Sequence, residues 1–273
     1  MIFDLGPYRI EVATGFGPRI TSLRLDDGPE IFVELEPDVA VVHGDDVFRF
    51  RGGHRLWASP EVPEITYAPD DHRCQVEETD GVVTITSPVD NAGLVKEMAV
   101  SLDGESLSVV HRVVPATGHA PSLAPWAITQ LPLDGTAIIP LVGDDTTPSA
   151  NRYLVLWPYT SLEDSRVTLA EDVLELRASD GPPIKFGVGP APGRLGYFRD
   201  DFVFVKEIEP ALDRAVPDFG AVGQVYLGQG FCELESVGGL VDLSDGAVAE
   251  ITERWTIVDC GDLDSAIAIT LNA

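Results

Sequence analysis

The sequence predicts an all-β protein, and three observations carry that prediction. Short runs rich in Val, Ile, Leu and Thr alternate with turn residues along the whole chain. Asp80-Gly81 and Asp103-Gly104 fall between such runs, and an Asp-Gly pair favours the tight turn of a hairpin. No window carries an apolar stripe at helical spacing over three turns or more, and 26 Gly and 21 Pro are spread through the chain to interrupt one. Many antiparallel strands in one chain build a sandwich or a barrel.

In order, strands are expected at 8–13, 19–25, 82–86, 95–102, 107–114, 153–156, 173–176, 202–207, 222–227 and 248–258, with the longest surface loops at 115–125 and 189–193. No repeat, low-complexity linker or composition step divides the chain. Residues 1–273 therefore read as a single domain, a length that large β sandwiches commonly fill.

Charge and cysteine usage narrow the function. Against 18 Lys and Arg stand 45 Asp and Glu, a net charge of −27 that repels phosphate backbones and anionic lipid surfaces. Nucleic acid and membrane are thus poor partners, and the acidic pairs read as a solvated surface. No apolar run approaches the ~20 residues of a membrane span. The first residues lack a basic segment ahead of an apolar one, so no signal peptide is expected. Three widely spaced cysteines, Cys74, Cys232 and Cys260, disfavour a disulfide framework and suit a reducing, cytoplasmic setting. His43 and His72 lie near Asp45-Asp46 and Asp70-Asp71, but ligand spacing for zinc or calcium is absent, so neither metal nor cofactor is expected.

Three stretches carry chemistry. Arg51, Gly52, Gly53, His54, Arg55, Trp57 and Glu61 are crowded together. Such a set suits a sugar: an indole stacks on the C–H face of a pyranose while Arg and carboxylate bond its hydroxyls. The ordinary alternative is a loop in which Trp57 fills the core and Arg55 pairs with Glu61. In the second stretch, Glu233 and Glu235 would share one face of a strand, Cys232 and Leu234 the other. Adjacent carboxylates raise the pKa of one of them, which suits proton transfer, hydroxyl binding or a plain solvated face. Third, two of only three lysines, Lys185 and Lys206, lie inside apolar strand runs. There they call for a charge partner such as Glu235 or Asp218, unless each lays its stem on the sheet and its head in water.

Eight segments occur in an order that resembles a bacterial family of the galactose-mutarotase-like superfamily, over about residues 8–258: 52–57 with Pro60 and Glu61, 125–130, 185–187, 204–206, Pro217-Asp218, Val225-Tyr226, 233–236 and 252–255. The resemblance implies a β-supersandwich whose concave face holds a sugar or sugar derivative. It implies that Arg51, His54, Arg55, Trp57, Glu61, Trp126, Gln130, Lys185, Lys206, Asp218, Glu233 and Glu235 gather there. Aldose 1-epimerases of this group use a glutamate base and a histidine acid, and Leu234-Glu235 matches the glutamate. The register puts Trp126 where the histidine belongs, and an indole N–H cannot exchange its proton near neutral pH. His54 or Lys185 would then be the acid. His43, His72, His111 and His119 match nothing in the family and read as surface or core residues. Two functions stay open: a sugar mutarotase acting on a free or phosphorylated aldose, and a carbohydrate-binding protein without turnover. Arg51, Arg55, Lys185 and Lys206 clustered together would favour a phosphosugar.

Overall fold

The computed structural model describes residues 1–272 apart from 118–119, 142, 144–145, 147, 190–192, 210–212 and 229. His119, the pair Asp144-Asp145 and positions 190–192 of the loop expected at 189–193 lie outside the described residues.

Two large antiparallel sheets face each other. The first runs Ile2–Leu5, Tyr8–Val12, Arg19–Leu25, Gly53–Ser59, Ser122–Leu131, Cys232–Val237, Gly223–Leu227, Ile184–Gly189, Tyr153–Leu156. The second runs Val167–Leu169, Val173–Arg177, Thr136–Pro140, Arg194–Arg199, Phe202–Ile208, Ala249–Asp259, Ser106–Pro115, Leu94–Asp103, Val82–Thr86, Gln75–Thr79. The all-β sandwich of the sequence reading is the fold observed, and both Asp-Gly pairs close hairpins. Asp80 and Gly81 take φ of 51° and 79° between strands that pair Thr79 with Val82.

Burial shows why some strands were legible and others were not. Leu94–Asp103 and Ser106–Pro115 alternate buried and half-buried residues, the signature of a strand with one covered face. Gly53–Ser59 and Cys232–Val237 are buried at every position. Their inner faces meet the core that Leu56, Ala58, Cys232 and Leu234 share with Val109, Phe204 and Trp255. Their outer faces lie under a second apolar layer, where Phe48, Phe50, Tyr67, Val216 and Leu240 pack on Trp57, Trp126 and Val237.

One expectation needs correction. Residues 122–125 are not loop but the start of strand Ser122–Leu131, in which Pro125 lies opposite Ala58 and accepts a bond from Gly238 N at 2.9 Å. The chain also ends in a ten-residue helix, Leu263–Asn272, whose Ala266 packs on Ile138, Val203 and Val205 of the second sheet. Among the described residues no helix is long and apolar enough to cross a membrane.

The double glycine before strand Gly53–Ser59 is a steric requirement. Gly52 and Gly53 take φ of 80° and 71°, and a Cβ on Gly53 would collide with the Ile20 carbonyl oxygen. Gly53→Ala should therefore cost at least the roughly 1–3 kcal/mol of a strained left-handed residue, read as a lower urea midpoint with unchanged slope.

Candidate functional site

Five neighbouring strands of the first sheet build the site: Gly53–Ser59, Ser122–Leu131, Cys232–Val237, Gly223–Leu227 and Ile184–Gly189. Alternation sends Arg55, Trp57, Trp126, Gln130, Glu233, Glu235, Gln224, Tyr226 and Lys185 to the face turned away from the second sheet. Register then fixes the rows. Arg55 lies opposite Ile128, which lies opposite Glu235, while Gln130, Glu233, Tyr226 and Lys185 form the next row.

The charges pair diagonally between these rows. Lys185 Nζ donates to Glu235 Oε2 at 2.7 Å, and Arg55 Nη2 donates to Glu233 Oε1 at 2.8 Å. Both pairs are almost fully shielded, with 1% of Arg55, 5% of Lys185, 6% of Glu233 and 1% of Glu235 exposed. Neutral donors complete them: Trp126 Nε1 bonds Glu235 Oε2 at 2.7 Å and Gln130 Nε2 bonds Glu233 Oε1 at 3.0 Å. Aromatic faces flank the cations. Arg55 lies 4.2 Å from the Trp57 ring and 5.1 Å from Phe50, and Lys185 Nζ lies 4.8 Å from Trp126 and 4.6 Å from Trp157. Trp57 and Trp126 meet edge to face at 5.4 Å.

Burial raises the pKa of Glu235; the Lys185 ammonium opposes that rise and the neighbouring Glu233 adds to it. Glu235 Oε1, Gln130 Oε1, Gln224 Oε1, Arg55 Nη1 and Trp57 Nε1 make no hydrogen bond within the protein. At the rim, Glu61 accepts a bond from the Tyr67 hydroxyl, and Asp218 accepts one from Gln224 Nε2 at 3.1 Å. Tyr159, half exposed, has its hydroxyl pKa raised by burial and by facing Glu235, Tyr226, Glu61 and Glu233.

The structure thus gathers Arg55, Trp57, Glu61, Trp126, Gln130, Lys185, Asp218, Glu233 and Glu235. It does not bring Arg51, His54 or Lys206 to this face. Arg51 precedes the glycine turn, bonds Asp71 and covers the Phe16 ring at 4.3 Å. His54 is next to Arg55 in an extended strand, so it points the opposite way, between the sheets. Its Nδ1 lies 2.8 Å from Thr129 Oγ1 and its Nε2 lies 2.7 Å from His111 Nε2. Burial holds both rings neutral, His54 well below its usual pKa and His111 at about 4. Lys206 belongs to the second sheet and pairs with Glu253 at 2.9 Å. Trp157, Tyr159, Gln224 and Tyr67 were not foreseen as site residues. The aromatic pair Trp157 and Tyr159 beside the predicted strand at 153–156 was the available signal.

Solved structures share this architecture. A galactose mutarotase-like protein from Lactobacillus casei superposes with a TM-score of 0.60 at 12% identity, over 94% of this chain and 99% of that one. A galactose mutarotase related enzyme from Lactobacillus acidophilus gives 0.54 at 9%, over 96% and 98%. A proposed aldose 1-epimerase from Klebsiella pneumoniae gives 0.59 at 9%, over 97% and 81%. No sequence-family model and no curated protein matches the chain. The fold is that of the galactose-mutarotase-like proteins.

Lys185→Met tests the electrostatic account, because it keeps the stem and strands the buried Glu235 charge. Breaking such a pair costs about 3–5 kcal/mol. A carboxyl whose folded pKa lies above its unfolded value is penalised only where the folded state must ionise it. The penalty is absent below the unfolded pKa and grows as pH rises through and above it. Urea unfolding should therefore show a larger loss for Lys185→Met at pH 8 than at pH 4.5.

Proposed function

We propose that the outer face of the first sheet binds an uncharged sugar, with Glu235 in contact with a hydroxyl. The observation that carries this reading is the balance of unused groups around Glu235: donors on Arg55 and Trp57, acceptors on Gln130, Gln224 and Glu235. A hydroxyl both donates and accepts, so a polyol complements a mixed set of this kind. The tryptophans and tyrosines beside it supply faces for C–H groups. These groups are covered by side chains, so binding entails displacement of part of the aromatic layer, with Phe50 over Arg55 the first candidate.

Charge pairing argues against a phosphosugar. Of the four cations that would have clustered around a phosphate, Arg51 and Lys206 lie elsewhere, and Arg55 and Lys185 are each neutralised by a carboxylate. A phosphate would have to break a buried pair to gain a cation, leaving a carboxylate uncompensated.

A second reading, anomer interconversion, draws on Lys185 at 2.7 Å from a carboxylate whose pKa burial raises. Glu235 would take the proton of the anomeric hydroxyl while Lys185 returns one to the ring oxygen, opening the C1–O5 bond; reclosure on the other face reverses both transfers. Trp126 in this scheme orients Glu235 and moves no proton.

A thermal-shift panel of neutral aldoses, uronic acids and sugar phosphates tests the binding reading, since a ligand of the native state raises the melting temperature whether or not it is turned over. A rise with at least one neutral aldose is expected; a panel with no shift ends the proposal. Glu235→Gln separates the two readings. In a binding protein it should weaken the sugar by roughly 1.5–3 kcal/mol, the worth of a charge-assisted hydrogen bond, with no interconversion above the buffer rate in the unsubstituted chain. In a mutarotase, affinity should stay within a few-fold while interconversion, followed by polarimetry, falls by the ~10²–10⁴ of lost acid–base catalysis.

A further inference from the structure

A second polar cluster, between the sheets, plays no part in sugar contact. His54 enters it from strand Gly53–Ser59 of the first sheet, and His111 and Glu253 from the paired strands Ser106–Pro115 and Ala249–Asp259 of the second. All three residues are wholly buried. The two Nε2 atoms are 2.7 Å apart, and Glu253 Oε2 lies 3.9 Å from each of them. These separations leave a point about 2.1 Å from all three atoms, the distance at which zinc holds imidazole nitrogen and carboxylate oxygen. A hydrogen bond between the two rings accounts for the short N···N separation. The Glu253 carboxylate oxygen, equally far from both nitrogens, completes a set of three ligand atoms turned to one point.

The surroundings hold His54 and Glu253 in place. His54 Nδ1 faces Thr129 Oγ1 at 2.8 Å, which leaves its Nε2 lone pair for a ligand bond when Nδ1 carries the proton. Trp255 Nε1 donates to Glu253 Oε2 at 2.9 Å. Lys206 takes the other carboxylate oxygen, Oε1, at 2.9 Å, and also bonds the Ala127 and Leu234 carbonyls, so Oε2 stays turned toward the imidazoles. We propose that His54, His111 and Glu253 bind one divalent transition-metal ion of the zinc type, which links the two sheets beneath the sugar-binding face. Two imidazoles and one carboxylate are the ligand set of open zinc sites. One carboxylate does not balance both the ammonium of Lys206 and a dication, which sets the affinity below that of a site without the lysine. The residues are 57 or more positions apart in the chain, so no local spacing announces them.

The test uses the full chain, unfolded and refolded with Zn²⁺ or Co²⁺ because the buried site must be loaded as the sheets close. After exhaustive dialysis, elemental analysis should find about one ion per chain, and zinc should raise the melting temperature. His111→Gln should lose both effects. The cobalt form should show the intense visible ligand-field bands of a four-coordinate site with nitrogen ligands. An unsubstituted chain that retains no ion and shows no shift overturns the proposal and leaves a hydrogen-bonded histidine pair. Full retention by His111→Gln overturns it too, because the ion then sits on surface carboxylates. If His111→Gln does not fold, the cobalt spectrum decides: weak bands of six oxygen ligands overturn the assignment.

Discussion

Each central strand of the first sheet is covered on both faces, so every polar side chain it carries must find a partner on whichever face it lands. The organisation of the molecule follows from that constraint. Charged groups buried alone would cost several kcal/mol each. Strand Gly53–Ser59 carries a histidine and an arginine in succession, and alternation separates them. His54 joins Thr129 and His111 inside, and Arg55 joins Glu233 outside. Strand Phe202–Ile208 contributes Lys206 to the inner network, and strand Ile184–Gly189 contributes Lys185 to the outer one. The first sheet therefore divides two polar networks, each of which needs the other's strands to hold its register.

The diagonal arrangement of the outer pairs matters for orientation more than for stability. A buried pair returns little net free energy once desolvation is counted, and a well-packed apolar replacement is often as stable. What the crossing does secure is orientation. Glu235 is held by Lys185 and Trp126 through a single oxygen, so its second oxygen is left fixed in direction. An aromatic layer over this floor excludes water and strengthens every electrostatic contact beneath it.

Much of the fold was legible because one-sided strands declare themselves by alternation. Strands Val82–Thr86, Leu94–Asp103 and Ser106–Pro115 of the second sheet, bounded by Asp80-Gly81 and Asp103-Gly104, could be read to within a residue or two, although Gln75–Thr79, the other arm of the Asp80-Gly81 hairpin, was not expected. Strands Gly53–Ser59 and Ser122–Leu131 could not, because burial on both faces removes the alternation and Pro125 argues for a loop. The terminal helix escaped notice because small residues, Ala266 and Thr270, make its buried contacts. In the site, scarcity was the useful signal for Lys185, and the Glu-x-Glu spacing for Glu233 and Glu235. The three misplaced residues have separate causes: His54 adjoins Arg55 in an extended chain that presents the two on opposite sides, Arg51 stands before the glycine turn, and the scarcity that marks Lys206 does not tell which sheet its strand joins. For His54, applying the period of two to Arg55 and Trp57 would have sufficed.

The two networks also meet through backbone. Lys206 Nζ bonds the carbonyl of Leu234, which lies between Glu233 and Glu235, and that of Ala127, which follows Trp126. It reaches Thr129 Oγ1 at 3.2 Å, one residue before Gln130. A single buried ammonium thus fixes, from below, the two strands whose outward side chains form the floor of the site. Because an extended strand is stiff over three residues, any displacement of those carbonyls is passed to the carboxylate of Glu235 and the indole of Trp126 on the opposite face. The precision of the outer site is in this sense set from inside the sandwich, by groups that no ligand on the outer face touches.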